Sequence, residues 1–317
     1  MINPVLGREI RERMRTGRAF VVLGVFLSLL ILTVYLVYQG TGSTGEIQVD
    51  LARQTRLGRD LYEWVLFVML ALVLFFVPGL TAGAIAGERE RQTLLPLQVT
   101  LLRPSSILVG KVLAAMSFLV LLLVASLPVM MVAYLLGGIR VLDGLKGLGI
   151  VLLVAALLTV MVASLSSLAK RVQTATLMAY GFTALLILIG PLLYFTMRVA
   201  DGSKGNDLEN PPAVLLVINP IAIVADATAG SGSARQSDGG NVLRWSREQL
   251  VEAKSYNGES WFAWFPDDDS GAQFRVINGR REGFPAWALG TIALSLLAAV
   301  LSYFAVRRLR TPAEVER

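Results

Sequence analysis

GERERQTLLPLQVTLLRPSSILVGK, residues 87–111, decides how the chain is organised. It is the one long polar-to-amphipathic stretch lying between two strongly apolar runs in the first half of the sequence. Glu88, Arg89, Glu90 and Arg91 set charges directly after a run ending at Ala86, where a helix leaving a bilayer regains water. Thr93 then N-caps a short helix carrying Leu94, Leu95, Val99, Leu101 and Leu102 largely on one face. Pro96 falls in its first turn, where a missing N–H matters least. This is the pattern of an interfacial or docking helix. Pro104 and Ser105 restart a helix that runs into the next apolar run, with Lys111 at the headgroup level.

The composition around this stretch agrees with a bilayer as solvent. Of 317 residues 55% are hydrophobic and 16% charged, with a mean hydropathy of +0.62, too apolar for an ordinary soluble domain. The chain has no cysteine, which excludes a disulfide framework, a thiol nucleophile and a thiolate metal site, and no histidine, the commonest general base and metal ligand. The net charge of +6 comes largely from cations flanking apolar runs, which points to membrane orientation and anionic headgroups rather than to nucleic acid.

Six apolar runs predict spanning helices at about Ala19–Tyr38, Tyr62–Ala86, Val112–Leu136, Leu145–Ala169, Ala175–Met197 and Ala286–Val306. Before the first, residues 1–18 hold Arg8, Arg11, Arg13, Arg15 and Arg18 among apolar positions, a basic amphipathic helix at the membrane interface, with Arg11 and Arg15 as anchors. A topogenic arginine cluster and an elbow helix packing on a partner fit it equally. The first run is long enough to span and no small-residue cleavage site closes it, so it reads as a retained helix rather than a signal peptide. Pro78 with Gly79 predicts a kink in the second span, and Pro191 after Gly190 a break in the fifth.

Six spans put both termini on one side. The termini and the loops at 87–111 and 170–174 carry about fifteen lysines and arginines, against about five in the two short loops opposite, so the termini are expected in the cytoplasm. The loop of residues 200–284 is then exported. Its start is apolar but interrupted by Pro211, Pro212 and Pro220, a pattern for a re-entrant pair of short helices near 211–229 rather than a further span. The remainder mixes a short helix with strand-like segments, and four of the five tryptophans, Trp245, Trp261, Trp264 and Trp287, lie in it or just beyond it. The expected organisation is an all-α polytopic membrane protein with a small mixed extracytoplasmic domain: an interfacial segment 1–18, five spans over 19–199, an extracytoplasmic part 200–284, and a sixth span with its tail at 285–317.

Residues 87–111 resemble the first cytoplasmic loop of ABC-2-type permeases, the membrane subunits of ABC exporters, whose pattern reads roughly GERExGTLExLLxTPxSRxxIxxGK. The alignment is ungapped, with Glu88, Arg89, Glu90, Thr93, Leu94, Thr100, Ile107, Gly110 and Lys111 on pattern positions. Gln92 stands where the family often has Gly, Leu95 where it often has Glu, and Leu101 where it often has Pro. The Asn219–Pro220 dipeptide also resembles one common in the outer hairpin of type-two exporters, and with Pro78, Gly79 and Pro191 it is a candidate gating or kink position. The resemblance implies a multi-pass permease of the bacterial cytoplasmic membrane. It further implies a homo- or heterodimer with a second permease subunit, and a separate ABC ATPase that binds the ATP and Mg, with no cofactor on this chain. Glu88, Arg89, Glu90, Arg91, Thr93, Leu94 and Thr100 would couple to that ATPase.

The residues themselves fit a chain without its own engine. The cores of the spans contain no Asp, Glu, Lys or Arg for a proton or ion relay, and Glu63, beside Trp64 at a span start, reads as a headgroup-level carboxylate or a gating residue. Gly110–Lys111 lacks the upstream Gly and following Ser or Thr of a phosphate-binding loop. No catalytic or metal site is expected, and Asp267, Asp268 and Asp269 lack the ligand spacing of a calcium loop. The charges at 88–91 are also consistent with solvated residues that merely stop a span. Hydroxyls such as Ser126, Thr159, Ser164 and Thr183 fit either a substrate path or helix packing. Two other classes stay open: a membrane-anchored assembly or sensory protein acting through residues 200–284, and a membrane enzyme.

Overall fold

The computed structural model describes residues 17–40, 51–92, 104–202, 214–228, 242–256 and 286–309. They form helices α1 (Gly17–Gly40), α2 (Leu51–Thr81), α3 (Gly83–Glu90), α4 (Pro104–Leu135) and α5 (Val141–Ser166). After these come α6 (Val172–Gly202), α7 (Val214–Val217), α8 (Pro220–Ala227), α9 (Val242–Tyr256) and α10 (Ala286–Leu309). No strand occurs among the described residues. The N-terminal segment with Arg11 and Arg15, the docking helix with Thr93, Leu94 and Thr100, and the strand-like and acidic stretch up to residue 285 lie outside the described residues.

Six of the helices are long and apolar enough to cross a membrane. The second candidate span runs from Gln54 through α3 to Glu90, longer at both ends than the hydropathy of the sequence implies. The interruption within it falls at Ala82. Pro78 itself lies inside α2, because a proline removes one backbone bond to the preceding turn yet leaves the following residues free to remain helical. Ala82 N–H still reaches the Pro78 carbonyl at 2.9 Å, so the backbone bonding carries on through the interruption.

Three helices make the centre. Leu66, Met69, Leu70, Val73 and Val77 of α2 are buried in one cluster with Phe118, Leu119 and Leu122 of α4 and Val151, Val154, Ala155 and Leu158 of α5. Hydrocarbon gives no hydrophobic drive between helices, so this contact rests on close van der Waals packing, to which small residues such as Ala155 contribute. More than half of the most apolar window of α2, α4 and α5 is buried (56% each), against 17% for α1, 22% for α6 and 28% for α10. The outer three helices therefore present most of their apolar surface to lipid or to another chain.

Antiparallel connections give the bundle two ends. One, the motif end, gathers α3, the start of α4, the α5–α6 turn and the end of α10, where Ile85, Leu108, Ala163, Ala305 and Leu309 pack together. The other gathers the start of α2, the α4–α5 turn, the short helices α7–α9 and the start of α10.

Candidate coupling site

The charges that follow Ala86 form a set of staples between helix ends. Arg89 donates through Nη1 to the carbonyls of Ser167 (3.1 Å) and Ala169 (3.0 Å), just beyond the C-terminus of α5. These oxygens lie where a helix leaves its last carbonyls unserved and where its dipole favours a cation. Glu90 does the converse: its Oε2 accepts the N–H of Val172, the first residue of α6, at 2.9 Å, placing a carboxylate at a positive helix end. Two residues before Glu90, Glu88 Oε1 lies 3.2 Å from Nζ of Lys111 on α4. Consecutive residues of α3 thus hold the end of α5, the start of α6 and a point about two turns into α4.

A fourth contact runs in the opposite direction. Ser166 Oγ, buried at the end of α5, accepts the N–H groups of Ile85 (3.1 Å) and Ala86 (3.0 Å) in the first turn of α3. Those donors belong to the turn after the break at Ala82, and the residue at the N-cap position, Ala82 itself, offers no side-chain acceptor. Ser166 substitutes for the missing cap from across the bundle. Lys111, expected at the membrane interface, is 3% exposed and Glu88 keeps 28% of its side chain accessible, so the ammonium is the deeper member of that pair. Arg91 is exposed at the C-cap of α3.

Gln92 explains the glycine at its position in the family pattern. Its φ is +58°, in the left-handed region, and its N–H reaches the Arg89 carbonyl at 3.1 Å. That is the conformation in which a residue just past a helix end closes the last turn, and glycine adopts it without a Cβ penalty.

At the opposite end three of the gating and kink candidates, Pro191, Asn219 and Pro220, come together. Pro191 lies inside α6 and cannot donate to the carbonyl of Ile187, four residues earlier. Asn219 donates to that carbonyl instead, through Nδ2 at 2.8 Å. Its Oδ1 accepts the Ile221 N–H at 2.9 Å, capping α8, with Pro220 in the first helical position where no N–H is required. Close approach is possible because Gly190 and Gly290 have no side chains: a Cβ on Gly190 would strike the Leu215 carbonyl oxygen and one on Gly290 the Val217 carbonyl oxygen. Asp226 Oδ2 caps α10 by accepting the Trp287 N–H at 2.9 Å. The α7–α8 hairpin is thereby wedged between α6 and α10. Gly79, the remaining kink candidate, faces the Tyr180 hydroxyl of α6, which a Cβ there would meet at 2.8 Å.

The hydroxyls noted within the spans mostly close on their own helices. Ser126, Thr159, Ser164 and Thr183 donate to carbonyls three or four residues back, at 2.6–2.8 Å, a pattern of packed helices rather than of a polar path. An apolar cavity of about 270 Å³ lies between α2 and α6, lined by Phe67, Leu74, Phe75, Tyr180, Thr183 and Ile221 among others. Ser166, the carbonyls of Ser167 and Ala169, Asp226 and Arg247 carry contacts that no local sequence pattern assigns. The one signal for them in the sequence is the cluster Ser164, Ser166 and Ser167 at the end of the fourth apolar run.

Six helices long and apolar enough to cross a bilayer, several of them joined by charged staples, define a polytopic membrane protein. The sequence model of the ABC-2 family transporter proteins matches residues 4–307, nearly the whole chain, and the chain belongs to that family. It is accordingly a transmembrane permease subunit of an ABC transporter, not itself a hydrolase, of a kind that partners an ABC ATPase subunit. No curated protein matches it.

Proposed function

We propose that this chain is the permease of an ABC exporter of the bacterial cytoplasmic membrane, one half of a homo- or heterodimeric core. Residues 87–111 receive the movement of a separate ATPase that binds ATP and Mg. The observation that carries this reading is the stapling of α3. A push delivered on the segment after Glu90 reaches α4 through Glu88–Lys111, α5 through Arg89 and Ser166, and α6 through Glu90, while α2 runs directly into α3. Charges that merely stopped a span would be solvated, not engaged with three other helices. Tilting these helices together switches a path between two permease subunits from inward to outward access. The middle of the apolar runs carries no charged residue, which supports a lipid-like, amphipathic or peptide cargo.

The test is purification of the tagged chain in mild detergent from its native membrane, identification of what co-purifies, and an ATPase assay with wild type and Glu88→Ala/Glu90→Ala. The proposal expects an ABC ATPase in the wild-type sample and loss of its association or of its regulation by the permease in the variant. Absence of any ATPase, under conditions that preserve other membrane complexes, would remove the transporter reading.

A further inference from the structure

Glu63 lies on α2 at the end remote from α3. It is 4% exposed, among Leu61, Leu66 and other buried apolar residues of the same helix. Its Oε1 sits 3.5 Å from Nη1 of Arg247, which belongs not to a spanning helix but to α9, in the segment between α6 and α10. Arg247 is engaged a second time: its Nε donates to the Ala225 carbonyl at 3.0 Å, serving the last turn of α8. A single guanidinium thus joins α2 to the hairpin that Asn219 seats on α6 and Asp226 seats on α10.

Two features make this contact separable as well as strong. The pair is not a bidentate fork, and Nη2 of Arg247 is buried with no hydrogen-bond partner, so the guanidinium is incompletely satisfied where it stands. Removing Arg247 while Glu63 stayed buried would take a cation away from a carboxylate in an apolar setting, which is costly. Movement of α2 and movement of the α8–α9 segment are therefore linked: a shift of one against the other parts Glu63 from Arg247.

We propose that Glu63–Arg247 is a latch that holds the α8–α9 segment against α2 in the state seen here and releases when α2 shifts in the transport cycle. This rests on the coupling role assigned to residues 87–111, because α2 is the helix that carries the displacement of α3 to the far end of the bundle.

The chain has no cysteine, so the full-length Glu63→Cys/Arg247→Cys variant reports on this contact alone. Reconstituted with its ATPase, it is treated with a short bis-methanethiosulfonate, which joins the two thiols through reducible disulfides with loss of sulfinate, without nucleotide and after trapping with ATP and vanadate. The latch requires ready cross-linking without nucleotide, a rate at least about fivefold lower after trapping, and loss of permease control over ATPase turnover in the cross-linked complex, recovered on reduction. As a second measurement, Glu63→Arg and Arg247→Glu each disturb that control and the double reversal restores it. Equal cross-linking with and without trapping, in a complex that Glu88→Ala/Glu90→Ala still uncouples, overturns the latch and leaves the coupling site standing. A chain that binds no ATPase overturns both.

Discussion

Asn219 supplies to the carbonyl of Ile187 the hydrogen bond that Pro191 cannot: Nδ2 donates at 2.8 Å to an acceptor whose own helix offers a proline four residues on. A defect in a spanning helix is repaired by a residue from the hairpin beside it. In hydrocarbon, where water cannot serve the freed carbonyl, such repair is what makes an interior proline tolerable.

The repair predicts an interaction between the two positions. Asn219→Asp keeps the oxygen that caps α8 but loses the donor, and should lower stability by about 1–3 kcal/mol. In a Pro191→Ala background the helix regains its own N–H, so the same change should cost less, by about 1 kcal/mol. Thermal unfolding of the four proteins in one detergent gives the cycle. Additive effects would show that the Ile187 carbonyl does not link the sites.

Gln92 occupies a left-handed position that glycine fills without strain. Gln92→Gly should therefore stabilise the chain by about 1 kcal/mol, and Gln92→Val should destabilise it by at least as much. Melting temperatures measured side by side decide this, and a destabilising glycine would place the residue in another conformation.

Glu88 and Lys111 are unequally buried, so their removal should be unequally tolerated. Glu88→Ala leaves the deeply buried Lys111 without that carboxylate, whereas after Lys111→Met the Glu88 carboxylate can turn to water. The first should cost more, by about 1 kcal/mol or above. Equal losses in denaturant titration would contradict the burial assigned to the pair.

The hairpin contacts predict a steric contrast on α6. Gly190→Ala drives a methyl into the Leu215 carbonyl and should cost about 1–3 kcal/mol, exposing the hairpin to protease. Gly181→Ala on the same helix meets nothing within 4 Å and should be neutral or mildly stabilising. Limited proteolysis of both variants in detergent separates the two.

The fold was legible wherever the bilayer dictates the sequence. The block Glu88–Arg91 marks the end of a helix because hydrocarbon does not accept such charges, and the six apolar runs show as six long helices for the same reason. What those charges hold was not legible. Arg89 reaches carbonyls 78 and 80 residues away, and a carbonyl acceptor leaves no mark in the residue type that carries it. Pro191 and Asn219 each stand out locally, the one as a helix breaker and the other as a cap before proline, yet their pairing appears only when the hairpin is seated. Glu63 read as a headgroup carboxylate because Trp64 adjoins it. Its burial against Arg247 depends on where α9 packs, which the amphipathic pattern of residues 242–256 leaves undetermined. Lys111 was legible as the cation beginning a span and not as the partner of a glutamate on the preceding helix.

The central claim is that α3 passes movement from an ATPase to α4, α5 and α6 through its staples and to α2 directly, and Arg89 tests it most directly. The measurement is the ATPase turnover of the complex purified with wild-type chain and with Arg89→Ala, each compared with the ATPase alone. Arg56→Ala, an exposed position near the other end of the bundle, serves as the control. The account predicts that Arg89→Ala still binds the ATPase but that turnover falls back to the rate of the free ATPase, while Arg56→Ala behaves as wild type. An Arg89→Ala complex whose turnover is regulated as in the wild type would contradict it, and would return the charges after Ala86 to the role of a membrane boundary.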